Sequence, residues 1–185
     1  MSTLKEIQGR NIKSVSSDPA SAEGGDIWYN STSQTLKGVV AGAAWSSGAP
    51  LTTGRYAIGG AGTQTAGLGF GGYTGTGMAA NTEEYNGSGW SAGGALSTAR
   101  MGLAGAGIQT AALAAGGVAP GLSTATEEYN GSAWTGGGAL STAREGVAGA
   151  GTQTAGLAFG GSVPAVSSAT EEYNGTAWTA GGALN

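Results

Sequence analysis

The stretch TEEYNGSAW at residues 126–134 recurs as TEEYNGSGW at 82–90 and as TEEYNGTAW at 170–178. The three copies start 44 residues apart, and the positions around them repeat in the same register. The repeated side chains are Trp45, Trp90, Trp134 and Trp178, then Tyr85, Tyr129 and Tyr173, then Arg55, Arg100 and Arg144. A sequence period of about 20 to 50 residues is typical of solenoids, propellers and linear arrays.

The secondary structure inside one repeat decides among these architectures. Frequent glycines and the lack of a 3.6-residue apolar stripe argue against helices. In the last repeat we predict four strands, at 145–152, 155–159, 169–174 and 177–181. The Asn-Gly pair at 174–175 predicts a tight hairpin between the third and fourth of them. Four antiparallel strands per repeat describe the blade of an all-β propeller.

The repeat resembles the kelch repeat. In that family a hydrophobic strand ends in Gly-Gly, a spaced Tyr and then a Trp follow, and the next unit opens near an Arg. This chain has LAFGG at 157–161, then Tyr173 and Trp178. The resemblance implies a kelch-like β-propeller with about 44 residues per blade, three units and a partial N-terminal one. The units cover about 46–90, 91–134 and 135–178, within a region 46–185 that includes the start of a further repeat.

The N-terminal part differs in sequence from the repeats. We predict an arm or attachment segment at 1–24, and N-terminal strands or a partial blade at 25–45. IWYN and TLKGVV are expected to be two strands around residues 31–34. The stretch SSDPASAEGGDIWYNSTSQTLKGVV at 16–40 is similar to short N-terminal modules of bacteriophage tail-fibre and other virion proteins, especially those of marine phages.

Composition argues against several classes of function. The chain has 39 Gly but no Cys and no His, so thiol nucleophiles, imidazole bases and the usual zinc ligands are missing. The copper oxidases that carry kelch repeats use His and Cys ligands. We therefore expect no enzyme, no catalytic or metal site and no cofactor. Seven Lys and Arg against eleven Asp and Glu argue against nucleic acid as a partner. No apolar run reaches the length of a membrane span, and no secretory signal is readable.

The paired glutamates are Glu83-Glu84, Glu127-Glu128 and Glu171-Glu172. Adjacent residues of a strand point to opposite faces, so a pair cannot act jointly on one substrate atom. We expect these glutamates to be solvated or paired with the repeated arginines, with calcium binding between blades as the alternative. Each repeated arginine is expected to bond to the neighbouring blade. Alternatively, the arginines form a ring of cations that binds an anion.

The repeated tryptophans are expected to fill the space between blades. By contrast, the connections between the second and third strands differ among repeats: YTGTGMAAN, VAPGLSTA and SVPAVSSA. Variable loops on a repeated scaffold are suited to recognition, although small neutral loops can also vary without constraint. The candidate binding residues are Tyr73, Met78, Val118, Leu122, Val163 and Val166.

Three repeats are fewer than the four to eight blades of a closed propeller. The N-terminal strands as a fourth blade, several chains together, or a longer array would complete the ring. Exposed strand edges and apolar faces favour self-association, so we expect a homo-oligomer.

The function we expect is that of a non-enzymatic virion structural or appendage protein, such as a tail fibre, assembled in the host cytoplasm. Its N-terminal arm would bind other virion proteins, and its propeller would contact a host surface glycan or protein. The alternative is a cellular propeller scaffold that binds carbohydrate or protein.

Overall fold

A computed structural model describes residues 12–20, 26–38 and 47–185 of the chain. The chain divides into two compact units, 1–47 and 48–185. Within the described residues every regular element is a β-strand. These residues form no helix that is long and apolar enough to cross a membrane. Trp45 and most of the predicted arm lie outside the described residues.

The N-terminal unit contains a three-stranded sheet. Strand β1 (Lys13–Val15) pairs in parallel with β2 (Ile27–Asn30), which pairs antiparallel with β3 (Thr35–Gly38). The sequence predicts two strands around residues 31–34, and β2 and β3 are these strands, one on each side of the turn. Strand β1 lies inside the segment expected to be an arm, where it forms the edge of the sheet.

Asp18 ties this sheet together. Its carboxylate accepts hydrogen bonds from Lys37 Nζ at 2.6 Å, Asn30 Nδ2 at 2.7 Å and Trp28 Nε1 at 3.1 Å. These bonds, above all the one from Lys37, lower the pKa of Asp18 to about 2. The segment before β2 is thereby fastened to both antiparallel strands.

The second unit consists of three four-stranded antiparallel sheets, one per repeat, which we call blades 1, 2 and 3. Blade 1 contains β4 (Gly59–Gly62), β5 (Gly67–Phe70), β6 (Thr82–Tyr85) and β7 (Trp90–Gly93). The next repeat forms β8 (Ala104–Ile108), β9 (Ala111–Ala115), β10 (Val118–Ala119), β11 (Gly121–Leu122), β12 (Thr126–Tyr129) and β13 (Trp134–Gly136). The last forms β14 (Ala148–Thr152), β15 (Ala155–Phe159), β16 (Ser162–Val163), β17 (Ala165–Val166), β18 (Thr170–Tyr173) and β19 (Trp178–Ala180).

The strands of each blade are joined in sequence order, apart from an added hairpin. Blade 2 has the order β13-β12-β9-β8, with β10 and β11 as a separate hairpin between β9 and β12. Blade 3 has the order β14-β15-β18-β19, and β16 pairs with β17 in the same way. The four strands predicted in the last repeat are therefore confirmed, with ends shortened by up to three residues.

The Asn-Gly turns form as predicted, but the two residues contribute differently. Gly175 has a φ of 89°, in the left-handed region that favours glycine. Asn174 acts through its side chain, whose Oδ1 accepts hydrogen bonds from the N–H groups of Thr176 and Ala177. A side-chain-stabilised Asx turn therefore replaces the two positive φ angles of the predicted hairpin.

The innermost strands of the blades pack backbone against backbone. A Cβ atom added at Gly105 of β8 would overlap the carbonyl oxygen of Gly60 in β4, and one at Gly149 of β14 would overlap that of Gly105. Larger side chains lie farther out, between the blades, where Leu68, Phe70, Leu103, Leu113 and Tyr129 are almost fully buried. The glycine-rich composition thus allows the backbones of neighbouring inner strands to approach closely.

Candidate functional site

The three repeated arginines lie inside the blades. Arg100 Nη2 donates to Glu127 Oε1 at 2.8 Å, and Nη1 donates to the carbonyl oxygens of Gly116 at 3.0 Å and Ala125 at 2.7 Å. Arg55 pairs in the same way with Glu83 at 2.6 Å, and Arg144 with Glu171 at 2.8 Å. The arginine side chains are 0% exposed. The alternative of a cation ring that binds an anion is therefore wrong.

The expectation that each arginine side chain bonds to the neighbouring blade is also wrong. Gly116, Ala125 and Glu127 all belong to the repeat that Arg100 itself opens. Only its backbone reaches the preceding blade, because the Arg100 carbonyl accepts from the N–H of Gly72 at 2.7 Å. The segment before the inner strand runs between two blades, so its backbone bonds to one and its side chain to the other.

The glutamates of these ion pairs use both carboxylate oxygens. Glu83 Oε2 accepts from the N–H and the hydroxyl of Thr52, at 2.7 Å and 2.6 Å. Burial raises the pKa of Glu83, but the hydrogen bonds from Thr52 and Arg55 outweigh it and hold this pKa below its usual value. Glu83, Glu127 and Glu171, which were considered as calcium ligands, thus make structural bonds. In 12–20, 26–38 and 47–185, no group of three acidic, His or Cys side chains is placed to hold a metal.

In blades 1 and 2, the second glutamate of each pair faces the next blade. Tyr129 donates its hydroxyl to Glu84 Oε1 at 2.6 Å, and Tyr173 donates to Glu128 Oε1 at 2.6 Å. The two neighbouring glutamates therefore serve opposite faces of one strand, as the strand geometry predicts. Burial, aided by the glutamate, raises the pKa of Tyr129 and of Tyr173 above the usual value of 10.0.

These two tyrosines make the protein sensitive to alkali. In the unfolded chain they lose their protons near pH 10.0, whereas in the folded protein they resist ionisation. Their contribution to stability is complete below that pH and is lost as the pH rises through their higher folded pKa values. We expect the urea midpoint to fall above pH 10, and to fall less steeply in the double variant Tyr129→Phe/Tyr173→Phe. Parallel curves for the two proteins between pH 9 and pH 11 would contradict this.

Trp134 and Trp178 lie at the junctions between blades, and Trp90 contacts the segment before blade 1. Trp134 Nε1 donates to Thr82 Oγ1 of blade 1 at 2.9 Å, and its ring packs edge-on against Phe70 with centroids 4.8 Å apart. Trp178 donates to Thr126 in the same way, at 2.9 Å. Trp90 donates to the carbonyl of Ala49 at 3.0 Å. These indoles are packing residues, with their N–H groups used.

The variable residues of the three blades gather at one end of the unit. Each repeated arginine is followed by a different side chain, Tyr56, Met101 or Glu145. Each of them forms a β-bridge with the first residue of the variable connection in its own repeat. The bridges are Tyr56 with Tyr73, Met101 with Val118, and Glu145 with Ser162. We call this end, with its hairpins, the variable face.

A shallow cavity of about 440 Å³ opens on the variable face. Its lining comes from all three blades: Tyr56, Ala57, Met101, Gly102, Glu145, Gly146, Gly161, Ser162 and Val166. Tyr56 is 62% exposed and Val166 is 95% exposed, while Glu145 is half-buried. The lining therefore combines exposed apolar side chains with a few polar residues.

The predicted binding residues are distributed over this face. The ring of Tyr73 packs against that of Tyr56 at a tilt of 52°, with centroids 5.5 Å apart, and Tyr73 forms a β-bridge with Met78. The others lie on the two hairpins: Val118 pairs with Leu122, Val163 with Ala165, and Val166 reaches the cavity. Sequence reasoning missed Tyr56, Met101 and Glu145. The signal was present, because a variable residue directly follows each repeated arginine.

No protein-family model and no curated protein matches this chain. Among solved structures, that of YjhT matches with a TM-score of 0.56 and 13% sequence identity. The match covers 84% of this chain and 51% of that of YjhT, a kelch-like propeller. The three sheets are blades of a kelch-like β-propeller. This chain spans about half the length of YjhT, and the likeness extends to the fold alone.

Proposed function

We propose that this chain is a non-enzymatic structural protein of a bacteriophage virion, an appendage or fibre component that contacts the host surface through its variable face. Assembly takes place in the host cytoplasm, and the N-terminal segment binds other virion proteins. The attachment role is supported by the similarity of residues 16–40 to N-terminal modules of phage virion proteins.

The contact role is carried by one observation: the variable residues of three blades meet around an open cavity. The repeated arginines and the glutamates that pair with them, by contrast, are used in structural bonds within the blades. On such a scaffold, substitutions at the variable positions can change which ligand is bound without changing the fold.

The chemistry of the cavity suits a glycan. The exposed ring of Tyr56 offers a flat apolar surface for the C–H face of a sugar, and Glu145 offers oxygen acceptors for hydroxyl groups. A surface glycan of the host cell is therefore the ligand class that we propose.

The virion role is tested on purified particles. Mass spectrometry and labelling with an antibody against the full chain should find the protein in intact phage particles. Its absence from particles of the phage that encodes it would refute the virion role.

The contact role is tested by substitution of Tyr56. We expect Tyr56→Ala to weaken binding of the full chain to host cells or to their extracted glycans by about ten-fold or more, since a stacked aromatic anchor is lost. Tyr56→Phe keeps the ring and should bind almost normally. Ile108→Ala is a matched control. Ile108 is also exposed, at 55%, but it is the last residue of β8, whereas the variable face lies before the first residue of that strand. Equal binding by Tyr56→Ala and Ile108→Ala would contradict the role of the variable face.

A cellular carbohydrate- or protein-binding propeller is the second candidate. The same face favours it, because the cavity would serve a free protein equally well. Glycan-array binding by the full chain, without association with particles, would select this candidate over the first.

A further inference from the structure

Backbone hydrogen bonds join the three blades at the cavity of the variable face. The N–H of Gly102 donates to the carbonyl of Ala57 at 2.8 Å, and the N–H of Gly146 donates to the carbonyl of Gly102 at 2.8 Å. These three residues line the cavity, and each directly follows a variable residue, Tyr56, Met101 or Glu145. The bonds between blades therefore hold the three variable positions at a fixed spacing.

The backbone at this contact has the same conformation in all three blades. Gly102 and Gly146 have φ angles of 64° and 61°, which glycine adopts readily. Ala57 has a φ of 53° at the corresponding position, although this region is unfavourable for a residue with a side chain. Blade 1 thus keeps the shared conformation at some cost in free energy, and each blade brings its variable residue to the cavity in the same way.

The second unit has few charged side chains, and all its cations are buried. Residues 48–185 contain three arginines and no lysine. Each arginine side chain is 0% exposed and forms an ion pair with a glutamate. The same residues contain no aspartate, and the glutamates left without a cation of this unit are Glu84, Glu128, Glu145 and Glu172. The side-chain charge that remains on this unit is therefore negative only.

Glu145 carries the charge of the variable face. Tyr56 and Met101 are uncharged, and the variable connections YTGTGMAAN, VAPGLSTA and SVPAVSSA contain no charged residue. Glu145 lines the cavity and is half-buried, and no side chain of 48–185 forms an ion pair with it. A partly buried charge is screened less by salt than a fully exposed one. Glu145 therefore gives the cavity a negative potential.

The cavity is small enough for this charge to act on any ligand inside it. A sphere of 440 Å³ is about 9 Å across, similar to the distance of about 8 Å over which charges interact at physiological salt. An anionic group on a ligand would be repelled by Glu145 wherever it lay in the cavity. The buried arginines of this unit cannot compensate, because each already binds a glutamate.

We propose that Glu145 makes the variable face selective for neutral glycans over glycans that carry carboxylate, sulfate or phosphate groups. This inference rests on the glycan-binding function proposed above. Repulsion of the wrong ligand contributes to specificity as much as contacts to the right one. The ring of Tyr56 would supply affinity through apolar C–H groups that neutral and acidic sugars share, and Glu145 would supply the selection.

The probe for this selection is the polysaccharide extracted from host cells, separated by anion exchange into a neutral and an acidic fraction. Binding of the full chain to equal masses of the two fractions is measured at low ionic strength. We expect the acidic fraction to bind at least about three-fold more weakly than the neutral one. Equal or tighter binding of the acidic fraction would overturn the proposal.

Glu145→Gln removes the charge and keeps the size of the side chain. The ratio of acidic to neutral binding should rise by about three-fold or more at low salt. This gain should disappear at about 1 M salt, where charges act over only about 3 Å. Glu172→Gln is the matched control, because Glu172 is exposed and carries the same charge but does not line the cavity. A ratio that is the same in Glu145→Gln and Glu172→Gln would show that Glu145 does not select the ligand.

Tyr56→Ala separates this inference from the proposed function. If Tyr56→Ala loses binding to both fractions while Glu145→Gln leaves their ratio unchanged, the variable face binds glycans without selecting by charge, and only this inference fails. If the unaltered chain binds neither fraction, the glycan-binding function fails, and the selection by Glu145 fails with it.

Discussion

Replacing Arg100 with methionine is expected to destabilise the folded protein by about 3–5 kcal/mol, because it leaves the carboxylate of Glu127 buried without its cation. Glu127 is 3% exposed and would keep only the hydrogen bond from the Ser97 N–H, at 2.8 Å. The Gly116 carbonyl would lose its side-chain donor as well, and the Ala125 carbonyl would keep only the N–H of Gly116. Folded domains are stable by about 5–15 kcal/mol, so this loss is a large fraction of the total. Urea unfolding followed by tryptophan fluorescence measures it.

Two further variants separate charge from packing. Arg100→Lys keeps the charge without the forked donor and should cost less than Arg100→Met. The double variant Arg100→Met/Glu127→Leu removes both charges and should recover more than half of the loss. A single Arg100→Met variant that loses less than about 1 kcal/mol would show that this ion pair contributes little.

Much of the fold could be predicted from the periodicity. Because three copies of one pattern align, turn signals such as Asn-Gly and Gly-Gly fall at the same place in each repeat and bracket the strands. The predicted strand at 155–159 coincides with β15. The predicted strand at 169–174 is one residue longer at each end than β18, which covers 170–173. The short hairpins β10–β11 and β16–β17 were not predicted, since strands of two residues leave no alternating pattern.

The partners of the repeated side chains could not be predicted in the same way. In a periodic sequence, a bond within one repeat and a bond to the next repeat leave the same spacing pattern. The position of Arg100 in the repeat therefore does not predict that its side chain binds within its own blade. Nor does the position of Tyr129 predict that its hydroxyl binds Glu84 of the preceding blade. Only the path of the backbone between blades decides which of the two occurs.

The candidate site shows the opposite situation. The variable connections were visible as departures from the repeat, and they do lie together at one end of the unit. Tyr56, Met101 and Glu145 depart from the repeat by one residue each, directly beside a repeated arginine. A single variable position carries little weight in a sequence, but in the fold it faces the cavity formed by the three blades.

Gly105→Ala is expected to destabilise the protein by about 3 kcal/mol or more, the upper part of the range for overpacked cores. The added Cβ would overlap the carbonyl oxygen of Gly60 and lie 2.7 Å from its nitrogen. Both atoms belong to the backbone of β4, which is held in its own sheet and cannot yield as the end of a flexible side chain can. The inner strands of blades 1 and 2 would have to separate, and the aromatic contact of Trp134 with Phe70 farther out would open with them. Thermal unfolding and the wavelength of tryptophan emission should both report the change.

Gly136→Ala provides the matched control for this substitution. Gly136 is also a strand glycine of blade 2, on the outermost strand β13, and an added Cβ there meets no atom within 4 Å. Its replacement should leave stability unchanged or raise it slightly, because alanine restricts the unfolded chain more than glycine does. Similar losses for Gly105→Ala and Gly136→Ala would mean that glycine is needed for strand flexibility in general. A loss confined to Gly105→Ala would mean that the blades are held at a spacing that admits no side chain between their inner strands.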